Sequence, residues 1–203
     1  MIESYSDLQY YLDQDRRALG IKDNVKIKYR IKEFFFPHPI WKFERLLRKT
    51  EYCKNVMMKK GNSASRMFGC LGYMYYKIKF HKLSLKLGFS IPCNAFGPGL
   101  SIAHYGSIIV NDNVKVGANC RLHCGVNIGA SAGGSNAPEI GDNVYIGPGA
   151  IIFGDIKIVS NVTIGANSTV NKSCLQENVV FAGTPAKIVK ENTASWTVFN
   201  KLV

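Results

Sequence analysis

The chain has 203 residues, 46% of them hydrophobic and 20% charged, with 19 Gly and 7 Pro. That apolar content excludes a solvated polymer, the glycines follow no three-residue period and so exclude collagen, and the length suits one domain or two small ones with a sizeable core. The net charge of +12 is unevenly placed, with 19 Lys+Arg against 8 Asp+Glu in residues 1–90 and 7 against 6 in residues 91–203.

Residues 1–88 read as a basic helical region. Asp7 is placed to cap a first helix whose face carries Leu8, Tyr11 and Leu12, and Pro37 and Pro39 break the chain before the next. Residues 40–60 put Ile40, Phe43, Leu46 and Leu47 on one stripe with charges opposite, the pattern of an amphipathic helix. A third, Tyr-rich segment runs over residues 66–87, and its apolar stretch at 67–76 is far shorter than the roughly 20 residues that span a bilayer. No nucleic-acid-binding module is present, so that partner is not expected. The first reading of this region is a solvated helical cap with its aromatics packed. The rival is a peripheral contact with a membrane surface, through Lys and Arg with Phe34, Phe35, Phe36 and Trp41. The six cysteines form no CxxC pair and no long apolar leader opens the chain, so reduced thiols and a cytoplasmic location, with the inner membrane face as an option, are expected.

From Val110 onward the pattern changes. Aliphatic residues recur every six positions: Val110, Val116, Leu122, Ile128, Ile140, Ile146, Ile152, Ile158, Ile164, Val170 and, after a break, Ile188. A second small or aliphatic series lies two residues earlier, from Ile108 through Val144 to Ala186. Six is not a multiple of 3.6, which excludes a helix, and a sandwich needs longer alternating strands. The period fits a chain wound into short flat sides with a corner at each repeat, around a stacked aliphatic core.

The hexapeptide series, with Ile146-Gly-Pro-Gly-Ala150, Ile164-Gly-Ala-Asn-Ser-Thr-Val170 and Ala182-Gly-Thr-Pro-Ala-Lys-Ile188, resembles the hexapeptide acyltransferases, nearest to their serine acetyltransferase branch. The resemblance covers about residues 90–190. It implies a mainly β fold, a left-handed parallel β-helix over residues 89–189 behind the N-terminal helical region, with 190–203 as a C-terminal extension. It also implies a homotrimer, acetyl-CoA as the acetyl donor and no metal. Only two of the four histidines lie on the prism, without a His-x4-His pair, which argues against a zinc site.

Acetyl transfer to a hydroxyl needs a base near neutrality and donors for the oxyanion, and histidine is the natural base. His104 stands where the six-residue phase expects an aliphatic residue, and it matches the family's catalytic histidine. The general-base role is set against a satisfied structural histidine. His123, nineteen residues on, is either an acceptor-binding group one coil away or an exposed corner residue, while His38 and His81 read as surface or packing residues. Ser135 and Asn136 join His123 as candidate acceptor contacts. By the resemblance, Gly147, Gly165, Ala166, Lys172, Thr184, Pro185 and Lys187 form the acetyl-CoA track, although the glycines also serve as corners. Serine acetyltransferases carry Asp residues and an Arg-His pair where this chain has Ala103, Phe89, Asn136 and Ala137. That departure resembles the O-acetyltransferases of surface polysaccharide pathways and implies a carbohydrate acceptor. Serine, and a noncatalytic β-helix scaffold, are the alternatives.

Overall fold

The computed structural model describes residues 1–21, 38–58 and 63–199. Helix α1 is Tyr5–Ala18, and its cap is Ser4 rather than the expected Asp7. The Ser4 hydroxyl accepts the Asp7 N–H at 3.1 Å, and the Asp7 carboxylate reaches back to the Glu3 N–H at 2.9 Å. Asp7 thus closes the first turn from inside, three residues after the cap, in the manner of a capping box. Helix α2, Pro39–Tyr52, starts with Pro at its first position and His38 as cap, the His38 Nδ1 accepting the Trp41 N–H at 3.2 Å. His38 is therefore structural. A π-helical turn, Cys53–Met57, follows, and then helix α3, Ser63–Leu87.

The expected stripe of α2 is buried at Ile40, Phe43 and Leu47, but its charges do not all face solvent, since Glu44, Arg48 and Glu51 are buried as well. Arg48 uses all five of its N–H donors. It binds Asp15 of α1 at 2.7 and 3.3 Å, Glu51 at 3.0 Å, and the carbonyls of Phe96 and Gly97 at 2.9 and 2.7 Å. Asp15 in turn accepts the N–H groups of Gly99 and Leu100, and Glu51 accepts that of Asn94. The network fastens both helices to the chain segment that leads into the repeats. Glu44 accepts the Ile102 N–H at 3.3 Å, and burial, with the nearby Asp15 charge, pushes its carboxyl well above the usual range. Replacing Arg48 with Met would leave two carboxylates buried without their cation. Chemical denaturation of that variant is expected to show a loss of about 3–5 kcal/mol, and a loss under about 1 kcal/mol would refute the network's structural role.

The repeats form a three-faced left-handed prism. The first face stacks Phe89–Ser90, Ile108–Val110, Asn127–Gly129, Ile151–Phe153 and Thr169–Val170 in parallel. The second stacks Lys115–Val116, Glu139–Ile140 and Lys157–Ile158, with single bridges at Phe96 and Cys174 above and below. The third stacks Ser101–Ile102, Arg121–Leu122, Tyr145–Ile146, Thr163–Ile164 and Val180–Gly183, and ends in an antiparallel strand, Ala186–Lys190. Each strand is two to five residues long, with its inward residue in the aliphatic core. The core is continuous with Ile40, Phe43 and Phe80 of the helices, and Phe43 packs on Phe80 and Phe89 with ring centroids 5.2 and 4.9 Å apart. Helices α2 and α3 therefore share one core with the prism, while Ile2, Leu8 and Tyr11 at α1 form a separate cluster.

Two details of the repeat are corrected. Ile188 does not continue the inward series, because it lies on the antiparallel strand and is 39% exposed. Phe181, its partner, fills the core in line with Ile164. His104 is likewise out of the aliphatic phase: Ile102 takes the core position, and eight residues rather than six separate it from Val110, so the two extra residues widen the corner and carry His104 outward. Another insertion is larger. Successive partners Leu122 and Ile146 are 24 residues apart where Ile146 and Ile164 are 18 apart, and the six extra residues lie in the loop 130–138.

One edge is held by a feature outside the aliphatic pattern. Asn119, Asn143 and Asn161 take positive φ values of 54°, 57° and 60°, which Asn tolerates better than most side chains, and their amides bond one to the next at 3.0 Å. The tail docks beside this ladder. Trp196 is buried and donates to the Asn119 carbonyl at 2.9 Å, while Val198 is exposed. Leu202, a further apolar residue of the 190–203 extension, lies outside the described residues.

Candidate active site

The edge where the third face turns into the first is made of residues 103–107, 123–126, 147–150 and 165–168, one corner per coil. His104 and His123 occupy the first two corners with ring centroids 6.1 Å apart. His104 is exposed, and among the described residues of the protomer no hydrogen bond restrains its ring. His123 is half-buried rather than an exposed corner residue. Its ring lies 5.1 Å from that of Tyr145, and its buried Nε2 has no hydrogen-bond partner. A buried unpaired nitrogen costs about 1–3 kcal/mol, so this atom is a ready contact for a hydroxyl. Burial first, then the charges of Arg121 and His104, hold the His123 imidazole below its ordinary value of 6.5 and so neutral at pH 7. Tyr145 escaped the sequence reading. The signal was its place directly before Ile146, the outward position on the strand below Arg121 and Leu122.

The next corners of the same edge hold Gly147, then Gly165 and Ala166, so these three expected donor residues do line up with the histidines. The glycines have a sufficient structural cause. A Cβ at Gly147 would lie 2.7 Å from the Ala166 nitrogen, and one at Gly165 2.6 Å from the Ala182 Cβ, so the coils stack this closely only without side chains there. Thr184 and Pro185 form the turn of the final hairpin, and the Thr184 hydroxyl bonds the Asn167 carbonyl at 3.3 Å, which fixes that turn against the same edge. Lys187 is exposed on the last strand.

Three expected site residues stand elsewhere. Ser135 and Asn136 lie in the loop 130–138, where the first face turns into the second, and Lys172 lies at a lower corner of that edge. Asn136 donates to Asp155 at 2.8 Å, and the Ser135 carbonyl accepts from Asn113 at 2.7 Å, both on that same edge. The structure does not bring these three to His104 within one protomer. Phe89, where serine enzymes have an acid, is a core residue, and the edge of His104 contains no carboxylate at all. Among the described residues no group of three or more His, Cys, Asp or Glu side chains is placed to hold a metal ion.

A three-faced prism of stacked hexapeptides is the fold of the hexapeptide-repeat transferases, and residues 137–172 match the family described as bacterial transferase hexapeptide (six repeats). More particularly, the chain is similar to serine acetyltransferases. It is 35% identical over 130 residues to that of Staphylococcus epidermidis, covering 63% of this chain and 56% of the relative. In fold it is similar to the Neisseria gonorrhoeae enzyme, with a TM-score of 0.66 and 24% identity over 92% of this chain and 67% of that one. A serine acetyltransferase of Brucella abortus in complex with coenzyme A gives a TM-score of 0.65 and 22% identity, over 94% and 70%. The chain thus spans about half the length of the curated relatives it matches. These relatives are named for serine and not for a polysaccharide.

Proposed function

We propose that this chain is an acetyl-CoA-dependent O-acetyltransferase of the serine acetyltransferase type, with His104 as general base. The observation that carries the reading is the shared edge: two imidazoles at one end and a track of small residues at the other, Gly147, Gly165 and Ala166. The acceptor hydroxyl gives its proton to His104 as its oxygen attacks the thioester carbonyl. The tetrahedral oxyanion then collapses and expels the CoA thiolate, which recovers the proton from the imidazolium. Neutral His123, with its unpaired Nε2, holds the acceptor.

The acceptor named by the relatives is serine, and it is the first reading. The second is an uncharged hydroxyl such as that of a sugar. It is favoured by the absence of carboxylates from the His104 edge and by Phe89 lying in the core. Release of CoA thiol from acetyl-CoA with serine and with a panel of sugars tests both, and no release with any acceptor would leave the scaffold alternative.

The separation of Ser135, Asn136 and Lys172 from His104 supports a site shared between copies. One protomer supplies the histidine edge and its neighbour the edge of the long loop, as a threefold ring of parallel prisms permits. Sedimentation is expected to report about three chains per particle, and a fully active monomer would overturn this arrangement.

A further inference from the structure

The helices leave their charge and their apolar surface on the outside in an unusual combination. Helix α3 contains five cations, Arg66, Lys77, Lys79, Lys82 and Lys86, and no acid over its 25 residues. The two acids of α2, Glu44 and Glu51, are buried at its core-facing side, so the charges that α2 leaves in contact with solvent are Lys42, Arg45 and Lys49. Those three, with Lys79, Lys82 and Lys86, line a groove of about 530 Å³ between the helices, and no carboxylate stands among its lining residues. Beside the groove, α3 exposes Met67, Phe68, Leu71, Met74 and Ile78, each more than half accessible. At 100° per residue these five fall on one side of the helix, opposite Phe80 and Leu87, which point into the core.

We propose that this face of α3 is a membrane-docking surface: the apolar side chains enter the headgroup boundary of an anionic bilayer while the lysines of the groove meet its phosphates. A helix that lies in the interface combines apolar and cationic faces in this way. Among the described residues no helix is long and apolar enough to cross a membrane, so the contact is one of lying on the surface. The spacing of residues 67, 71, 74 and 78 also suits pairing with a second copy of the helix. Charge decides against that occupant: both seams would be flanked by lysines with no acid to face them, and like charges at flanking positions oppose pairing. The contact differs from the one expected from sequence. Trp41 is buried beneath Arg45, whose guanidinium carbon lies 5.9 Å from its ring centre, and Phe34, Phe35 and Phe36 lie outside the described residues.

The test is flotation of the full chain with vesicles of phosphatidylcholine alone, or with phosphatidylglycerol added. Expected is binding to the mixed vesicles that weakens with salt, and little binding to the neutral ones. The pair Leu71→Ser and Met74→Ser should reduce that binding about tenfold or more, as should the triple Lys79→Gln, Lys82→Gln and Lys86→Gln. All five side chains are solvent-exposed, so thermal unfolding of both variants should match that of the parent chain. Three results would overturn the proposal. The parent chain could fail to float with anionic vesicles at low salt. The serine pair could leave binding unchanged, which would reduce the groove to a general polyanion site. Or the serine pair could halve the particle mass without lipid, which would give the face to a second copy.

Discussion

Replacing His104 with alanine is expected to reduce turnover about 100-fold or more while leaving the affinity for acetyl-CoA nearly unchanged. The magnitude is that of a lost general base. The affinity should survive because Gly147 and Gly165 lie two and three coils further along the edge, roughly 10 to 15 Å away at about 4.8 Å per coil. Stability should survive as well, since His104 is exposed and makes no hydrogen bond within the described residues of its protomer. The same variant carries a second marker. The His104 charge is one of the causes that hold His123 below 6.5, so its removal should move the His123 titration upward, read from the ring resonances by NMR. Because the folded value of His123 is the lower one, this group favours the fold above about pH 6.5 and ceases to do so as pH falls through the folded value. Near-normal turnover by the alanine variant would remove His104 from the centre of the site, and an unmoved His123 would show that the two rings are not coupled.

The prism was legible in the sequence because its cause is local and repeated. Each inward residue, such as Leu122, Ile146 or Ile164, reports its own burial, and the period of six reports the corners. What breaks the period was not legible. The widening that turns His104 outward needs only two residues, and its effect is visible only once Ile102 is seen in register with Leu122. The final hairpin reverses direction at Thr184 and Pro185, so Ile188 keeps the aliphatic character of the series without its place in the core. Charge was the other blind spot. Arg48 and Glu51 look like a solvated pair three residues apart, and only Asp15 and the carbonyls of Phe96 and Gly97, distant in sequence, make them internal. The site itself was half legible. Chemistry and phase pointed to His104, but which corners share an edge depends on where each strand falls among the three faces. Lys172, read as a donor contact, and Ser135 and Asn136, read as acceptor contacts, stand on a different edge of the same protomer.

Serine is the first acceptor reading, and its two charges must then be met across the copies, because the His104 edge of one protomer holds no carboxylate. In a pocket built for the zwitterion, a carboxylate meets the ammonium and a cation meets the carboxylate, and each charge-assisted hydrogen bond is worth about 1.5–3 kcal/mol. On the His104 edge no carboxylate is present, the acid position of the serine enzymes is Phe89 in the core, and the Arg-His position is Asn136-Ala137 on another edge. What the edge does offer is an imidazole with an unpaired nitrogen and backbone groups, with the Tyr145 ring beside it on the third face, all suited to a neutral hydroxyl. Serinamide lacks the carboxylate and N-acetylserine lacks the ammonium, and both keep the reacting hydroxyl. If the site were the His104 edge of one protomer alone, their kcat/KM values would fall within about tenfold of that for serine, because neither change removes an ionic contact made there. A pocket that does supply both charges would instead prefer intact serine by about 100-fold or more over each analogue. That preference, found in the assembled particle, would show that the neighbouring copy brings the missing charges and would fix serine as the acceptor. Indifference to the analogues, with faster thiol release for one of the sugars, would favour the uncharged acceptor, since a sugar hydroxyl enters this edge without leaving any ionic group unpaired.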